Sequence, residues 1–222
     1  MVPRVLEPEG METEDGARVY DEMDHSEVNA RFVDDFLSVH GPCRGGEVLD
    51  VGTGPGRIPI RLCGFDEGAR VLGIDLSESM LEKAERNVEV SGLNERIRFA
   101  LGDANEMTLA EEGYEAVISN SIVHHIPTPT PALTKMARLV APGGTLMVRD
   151  LYRPKDQSTI AALVSRYAGG ESASARGLLE ASLNAALTLE EIQAIVRSIG
   201  MIVEDVTMTS DRHWTWAWRR PA

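Results

Sequence analysis

The sequence predicts an α/β protein with a Rossmann-like sheet of seven strands, mostly parallel with an antiparallel C-terminal strand, and with helices on both faces. Short apolar runs alternate with helical stretches, a glycine-rich turn follows the first run, and two β-prone segments close the chain. Apolar runs separated by helices are typical of buried parallel strands in βαβ units. The five runs are Glu47–Val51, Arg70–Ile74, Ile97–Leu101, Tyr114–Ser119 and Gly143–Val148.

Helices between these runs are predicted from local start and stop signals. Ser77 is a capping residue for a helix that Gly92 ends. Thr188 and Glu191 have the spacing of a capping box, in which each side chain bonds the other residue's backbone N–H. These signals require no tertiary contact, so they fix helix positions from sequence alone.

The C-terminal segment is predicted to form two closing strands, Met201–Thr209 and His213–Arg219. Trp214, Trp216 and Trp218 alternate along the second strand, which would place all three indoles on one face. We expect this face to pack in the core under a helix, with an oligomer contact as the second interpretation.

Length and composition predict one domain preceded by a tail. Residues 1–17 are acidic, contain Pro and Gly, and lack apolar periodicity, so we expect a flexible tail. Residues 18–222 are expected to form a single domain with an N-terminal helical segment (18–40). A helical insertion (152–187) follows the fifth run, and open α/β sheets bind ligands beyond the carboxyl ends of strands.

The charge of the chain argues against a nucleic-acid partner. The net charge is −13, and residues 1–40 carry eleven acidic and three basic side chains. A protein that binds nucleic acid must neutralise its phosphates with a basic surface. No apolar run approaches the roughly 20 residues of a membrane span, and no signal peptide is visible, so we expect a cytoplasmic protein without a membrane partner.

The strongest motif is the glycine-rich turn after the first strand, Val48-Leu49-Asp50-Val51-Gly52-Thr53-Gly54-Pro55-Gly56. Glycines in such a turn let the backbone approach a ligand closely. Nicotinamide-binding domains also have such a turn, and Asp75 after the second strand suits a ribose in either case. The third glycine, however, comes one residue earlier than in the dinucleotide pattern.

From these residues the sequence resembles the class I S-adenosylmethionine-dependent methyltransferases, and within them the small-molecule branch similar to ubiquinone-biosynthesis methyltransferases. The resemblance extends in order from about residue 47 to 150 and implies S-adenosyl-L-methionine as cofactor. It implies a lid over the cofactor from the N-terminal segment, where Tyr20 to His25 match. The cofactor-binding residues that it implies are Tyr20, Asp50, Gly52, Thr53, Gly54, Gly56, Asp75, Leu76, Met80, Asp103, Ala104 and Asn120.

The predicted chemistry relies on alignment of donor and acceptor, because a sulfonium methyl group is already electrophilic. A base is needed only if the acceptor must lose a proton. The candidate catalytic residues are His25, His124, His125 and Asp150, each with a packing or structural role as an equal alternative. Adjacent histidines are poorly spaced as a metal pair, so no metal is expected.

The acceptor is predicted to be a small molecule. After the fourth run the chain reads Ser119-Asn120-Ser121-Ile122, which lacks the Asp/Asn-Pro-Pro-aromatic pattern of enzymes that methylate adenine or glutamine nitrogens. The insertion offers apolar residues as pocket walls, namely Ile160, Leu163, Val164, Leu178, Leu179 and Leu183. Two alternatives stay open: a methyltransferase with a protein or RNA acceptor, and a non-catalytic module that binds S-adenosylmethionine. The sequence leaves the oligomeric state open.

Overall fold

A computed structural model describes residues 2–7, 26–109 and 111–222 of the chain. These residues pack into two compact units. The first contains residues 2–7, 121–129 and 149–216, and the second contains the remaining described residues. The expectation of one domain over residues 18–222 remains a prediction.

The strands form a seven-stranded sheet in the order β3-β2-β1-β4-β5-β7-β6. β1 pairs in parallel with β2 and with β4, and Val48 lies opposite Val71 on one side and Ala116 on the other. β2 and β3 are also parallel, whereas β6 and β7 are antiparallel. The strands are β1 (Glu47–Val51), β2 (Arg70–Asp75), β3 (Ile97–Leu101), β4 (Tyr114–Asn120), β5 (Val140–Leu151), β6 (Val206–Met208) and β7 (His213–Arg219). The predicted fold class is confirmed.

Seven α-helices are present in the described part of the chain. The predicted caps are confirmed: Ser77 accepts a hydrogen bond from the Met80 N–H, and Thr188 with Glu191 forms the complete capping box. The helices are α1 (Ser26–His40), α2 (Arg57–Phe65), α3 (Glu78–Ser91), α4 (Thr130–Leu139), α5 (Gln157–Ala168), α6 (Ala173–Ala185) and α7 (Leu189–Ser198). Two 3₁₀ turns cover Val123–His125 and Val203–Asp205.

The core of the second unit joins the first strands to helices α1 and α2. Its fully buried members include Phe32 and Phe36 of α1, Leu62 of α2 and Val48 of β1. Burial of such side chains contributes on the order of 1.5–3 kcal/mol each. This packing holds β1 and β2 in place, and the turns that follow these strands carry the predicted cofactor residues.

The first unit has its own apolar cluster in the predicted insertion. Leu151, Ile160, Leu163, Leu183 and Ala186 are buried together. Val2, Val164 and Leu179 pack against them. Three residues expected to line a pocket, Ile160, Leu163 and Leu183, therefore contribute to the core between α5 and α6.

Residues 2–7 of the predicted flexible tail make contacts with distant parts of the chain, and the expectation of a flexible tail over residues 1–17 remains a prediction. Arg4 donates hydrogen bonds to the backbone oxygens of His124, Ile126, Pro127 and Ala185. The Val5 N–H donates to the backbone oxygen of Asn184. The composition of this segment gave no signal of these contacts, because the partners lie more than 100 residues away along the chain. Residues 8–17 of the predicted tail lie outside the described residues.

The closing segment also differs from its prediction. β6 is three residues long, because a 3₁₀ turn occupies part of the expected strand Met201–Thr209. Trp214 and Trp216 are fully buried, whereas Trp218 is half-buried. Core packing therefore holds for the first two indoles and only in part for the third.

Candidate functional site

The glycine turn after β1 adopts the backbone conformation that its glycines predict. Gly52, Gly54 and Gly56 have φ angles of 75°, 53° and 74°. A Cβ at Gly56 would lie 3.0 Å from Phe99 Cζ and 3.1 Å from Ala84 Cβ, so this glycine allows close packing. A Cβ at Gly54 would meet no atom of the described residues within 4 Å. Gly54 therefore borders open space in which a ligand can approach the backbone.

Asp75, at the end of β2, connects three segments at this edge of the sheet. Its carboxylate accepts hydrogen bonds from the Gly54 N–H at 2.7 Å and from the Ser77 N–H at 2.9 Å. Its backbone oxygen accepts one from the Gly102 N–H after β3. The side chain is partly exposed. Asp75 thus fixes the glycine turn relative to the start of α3 and presents a carboxylate beside it.

Asp50 and Thr53 form a buried pair beneath the turn. Thr53 Oγ1 donates a 2.8 Å hydrogen bond to Asp50 Oδ2. Burial raises the pKa of Asp50 from 3.8 to about 7, an effect that the Thr53 hydrogen bond opposes and the charge of Asp75 reinforces. Because both side chains are almost fully buried, their visible role is to brace the turn.

The other predicted cofactor residues lie after β2 and β3 and at the last residue of β4. Leu76 is exposed and Met80 is buried. Asp103 and Ala104 are partly exposed, and the Asp103 carboxylate accepts a hydrogen bond from the Asn105 N–H. Among the described residues, the buried Oδ1 of Asn120 has no hydrogen-bond partner. This oxygen is therefore available to accept a hydrogen bond from a ligand or an ordered water.

In the other unit, Asp150 lies at the centre of a hydrogen-bond network at the end of β5. Its carboxylate accepts from the backbone N–H groups of Val123, His124 and Leu151. Its Oδ1 also lies 2.6 Å from His124 Nδ1. These bonds engage both carboxylate oxygens, so Asp150 holds the 3₁₀ turn and orients the His124 ring.

Glu7 completes this network from the N-terminal segment. Its Oε2 lies 2.7 Å from His125 Nδ1, and its Oε1 lies 4.0 Å from His124 Nε2. Ser182 Oγ donates to Glu7 Oε1. The two imidazole rings are 4.0 Å apart between centroids. We call Glu7, His124 and His125 the histidine–glutamate cluster.

Charge pairing overrides burial in this network. Burial alone would lower the pKa of His124, but the Asp150 carboxylate outweighs it and raises the pKa. Burial opposes ionisation of Asp150 and Glu7, but His124 and His125 respectively hold the pKa of these carboxyl groups below the ordinary values. The charged forms of His124, Asp150 and Glu7 are therefore favoured although these side chains are largely buried.

The structure brings together most of the predicted site residues within each unit. Asp50, Gly52, Thr53, Gly54, Gly56 and Asp75 form one group, and His124, His125 and Asp150 form the other. Tyr20 and His25 lie outside the described residues. Sequence reasoning missed Glu7 and Arg4, since an isolated carboxylate or guanidinium in an acidic segment gives no signal of a distant partner.

Comparison with known proteins places the chain in a family. Residues 43–173 match the family described as "Methyltransferase domain". The chain belongs to this family, and the predicted membership in the class I S-adenosylmethionine-dependent methyltransferases is confirmed.

Among curated relatives, 27-O-demethylrifamycin SV methyltransferase of Amycolatopsis mediterranei is 30% identical over 185 residues, covering 81% of this chain and 64% of the relative. Four such relatives are matched over 38% to 64% of their own length.

Two solved structures show the same fold. A SAM-dependent methyltransferase from Aquifex aeolicus superposes with a TM-score of 0.69 at 19% identity, covering 93% of this chain and 99% of that one. The second is a phosphoethanolamine N-methyltransferase from Haemonchus contortus, in complex with phosphomonomethylethanolamine and S-adenosylhomocysteine. It superposes with a TM-score of 0.71 at 18% identity. That alignment covers 96% of this chain and 59% of the other.

Among the described residues, no helix has the length and apolar character needed to cross a membrane.

Proposed function

We propose that this protein transfers a methyl group from S-adenosylmethionine to a small-molecule acceptor. The observation that carries the proposal is the position of the Asp75 carboxylate, which is bonded to the open glycine turn at Gly54 and remains partly exposed. A partly exposed carboxylate beside a glycine turn matches the arrangement that binds a ribose hydroxyl in Rossmann-like sites.

The residues present fit the cofactor. Asp75 would hold the ribose, Asp103 would hold the adenine, and the cofactor would pack against the backbone at Gly54, where a Cβ would meet no atom of the described residues within 4 Å. The unpartnered Oδ1 of Asn120 fits the polar methionine portion. When bound, the cofactor supplies a sulfonium methyl group that is electrophilic without further activation.

Because the cofactor supplies the electrophilic methyl group, the main role of the protein is to position the donor and the acceptor. Correct alignment of donor and acceptor can supply roughly 7–11 kcal/mol of the barrier. We assign acceptor contact to His124 and His125, because ligands of open α/β sheets bind beyond the carboxyl ends of strands. Here His124 follows β4 closely and Asp150 lies near the end of β5. In this assignment Asp150 is a positioning residue, since its carboxylate is already engaged.

The small size of the acceptor is supported by charge and by the relatives. A net charge of −13 disfavours an acceptor with a phosphate backbone. One relative is named for a rifamycin derivative, and the Haemonchus structure contains phosphomonomethylethanolamine.

The test is transfer of labelled methyl from S-adenosylmethionine to three separate pools: small metabolites, protein and RNA. We expect label in the small-metabolite pool with the wild-type protein. Asp75→Asn should reduce the transfer, whereas Asp66→Asn, which alters a carboxylate with similar backbone bonds elsewhere in the same unit, should retain it. Label found only in protein or RNA would refute the small acceptor. Binding of S-adenosylhomocysteine without transfer to any pool would favour the non-catalytic module.

A further inference from the structure

Two imidazole nitrogens and a carboxylate converge in the histidine–glutamate cluster. One ligand-type atom from each of Glu7, His124 and His125 lies within 4.8 Å of the others. The side chains of Glu7 and His124 are 9% and 4% exposed, and that of His125 is 31% exposed. The cluster is therefore sheltered, with His125 on the side that solvent reaches.

The distances suit a shared cation. Zinc binds imidazole nitrogen and carboxylate oxygen at about 2.0–2.2 Å, so ligand atoms in a tetrahedral site are about 3.4 Å apart. Each histidine lies near a different oxygen of the Glu7 carboxylate. His125 Nδ1 is 2.7 Å from Oε2 and His124 Nε2 is 4.0 Å from Oε1, and these two separations bracket this value. One ligand-type atom of each residue lies within 4.8 Å of the other two, so a single ion can contact all three side chains.

The neighbours of the cluster have the arrangement expected around metal ligands. A metal-binding histidine usually donates its other ring N–H to a carboxylate, which fixes the tautomer. Asp150 Oδ1 occupies this place, 2.6 Å from His124 Nδ1, and leaves Nε2 directed to the cluster. Ser182 Oγ similarly bonds Glu7 Oε1 and orients its carboxylate.

We propose that Glu7, His124 and His125 bind a divalent transition-metal cation, with one coordination position open. Imidazole ligands favour zinc and its neighbours in the first transition row, whereas magnesium prefers a site of oxygens. The carboxylates of Glu7 and Asp150 lie against the two imidazole rings and supply negative charge beside the proposed ion. Buried charges are generally paired or coordinate metals.

This site depends on a residue that the sequence did not connect to the histidines. Adjacent histidines alone are a poor metal pair, which is why no metal is expected from sequence. Glu7 supplies a third ligand, and Arg4 anchors its segment through four backbone oxygens. The proposal replaces the sequence expectation and goes beyond methyl transfer, since metal binding does not depend on the cofactor.

Calorimetric titration of the chelator-treated full chain with Zn²⁺ tests the proposal. We expect one equivalent to bind to the wild-type protein. Loss of an outer partner typically weakens metal binding 10- to 100-fold, so loss of a direct ligand in His125→Ala or Glu7→Gln should weaken it by more than about 100-fold. Mg²⁺ at the same concentration should not displace the zinc.

Two matched controls separate direct ligands from general effects. Glu180→Gln removes an exposed carboxylate from α6, and His213→Gln removes a histidine whose Nδ1 bonds Ser210. Both should keep the wild-type zinc affinity, and circular dichroism should show that all variants are folded. Wild-type protein that binds no zinc, or cluster variants that bind it as tightly as the controls, would overturn the proposal. Affinity for S-adenosylhomocysteine, measured separately, reports on the proposed function alone.

Discussion

Replacement of Asp75 by Asn should weaken cofactor binding while the fold persists. The carboxylate accepts hydrogen bonds from Gly54 and Ser77 at 2.7 and 2.9 Å, and in the proposed complex it also accepts one from a ribose hydroxyl. A hydrogen bond to a charged group contributes about 1.5–3 kcal/mol. At 1.4 kcal/mol per tenfold change, loss of the ribose bond corresponds to a Kd for S-adenosylhomocysteine that is about 10- to 150-fold higher.

Asp66→Asn is the matched control for this measurement. The Asp66 carboxylate also accepts two backbone hydrogen bonds, from Cys43 at 2.7 Å and Gly68 at 2.8 Å. Both variants should therefore lose stability in thermal unfolding, but only Asp75→Asn should lose affinity in calorimetry. Equal affinities in the two variants would show that Asp75 is a structural brace of the turn and not a ligand of the cofactor.

Three further predictions concern the same unit. Gly56→Ala should lower the free energy of unfolding by roughly 1–3 kcal/mol more than Gly54→Ala, as measured in urea titrations. Both glycines have a positive φ, but only the new Cβ of Gly56→Ala meets packed atoms. Equal losses of stability in the two variants would contradict the packing argument. Burial raises the pKa of Asp50 from 3.8 to about 7, so the folded state retains a proton that the unfolded state has lost, and stability should fall as pH rises from 3.8 to about 7. The difference in unfolding free energy between wild type and Asp50→Asn should thus be less favourable to wild type at pH 8 than at pH 5, and a constant difference would refute the assigned pKa. Asn120→Ala removes a buried oxygen that has no partner among the described residues, so the melting temperature should stay nearly unchanged. The same variant should bind S-adenosylhomocysteine about fivefold more weakly, which corresponds to roughly 1 kcal/mol. Unchanged affinity would exclude Asn120 from the site.

The features that could be predicted from sequence are those set by near neighbours in the chain. The Ser77 cap and the Thr188–Glu191 capping box each involve residues three apart. The glycine turn is similar, because positive φ angles are a local property of Gly52, Gly54 and Gly56. The mostly parallel sheet followed from the alternation of apolar runs and helices together with the family resemblance, whereas the order of the strands was not predicted.

The features that could not be predicted depend on contacts between distant segments. Glu7 meets His125 across more than 100 residues, and nothing in the composition of the first residues indicates this partner. The insertion shows the same limit, since periodicity identified its apolar residues but not whether they face a pocket or each other. Ile160 and Leu183 are fully buried in a common cluster.

A crystal structure with bound S-adenosylhomocysteine is the most direct test of the central claim, that the glycine turn and Asp75 form the cofactor site. We expect a ribose hydroxyl oxygen within hydrogen-bonding distance of the Asp75 carboxylate, at about 2.5–3.0 Å, and the ligand packed against the backbone of Gly54. A ligand bound away from residues 52–56, or one that leaves Asp75 without a ribose contact, would contradict it.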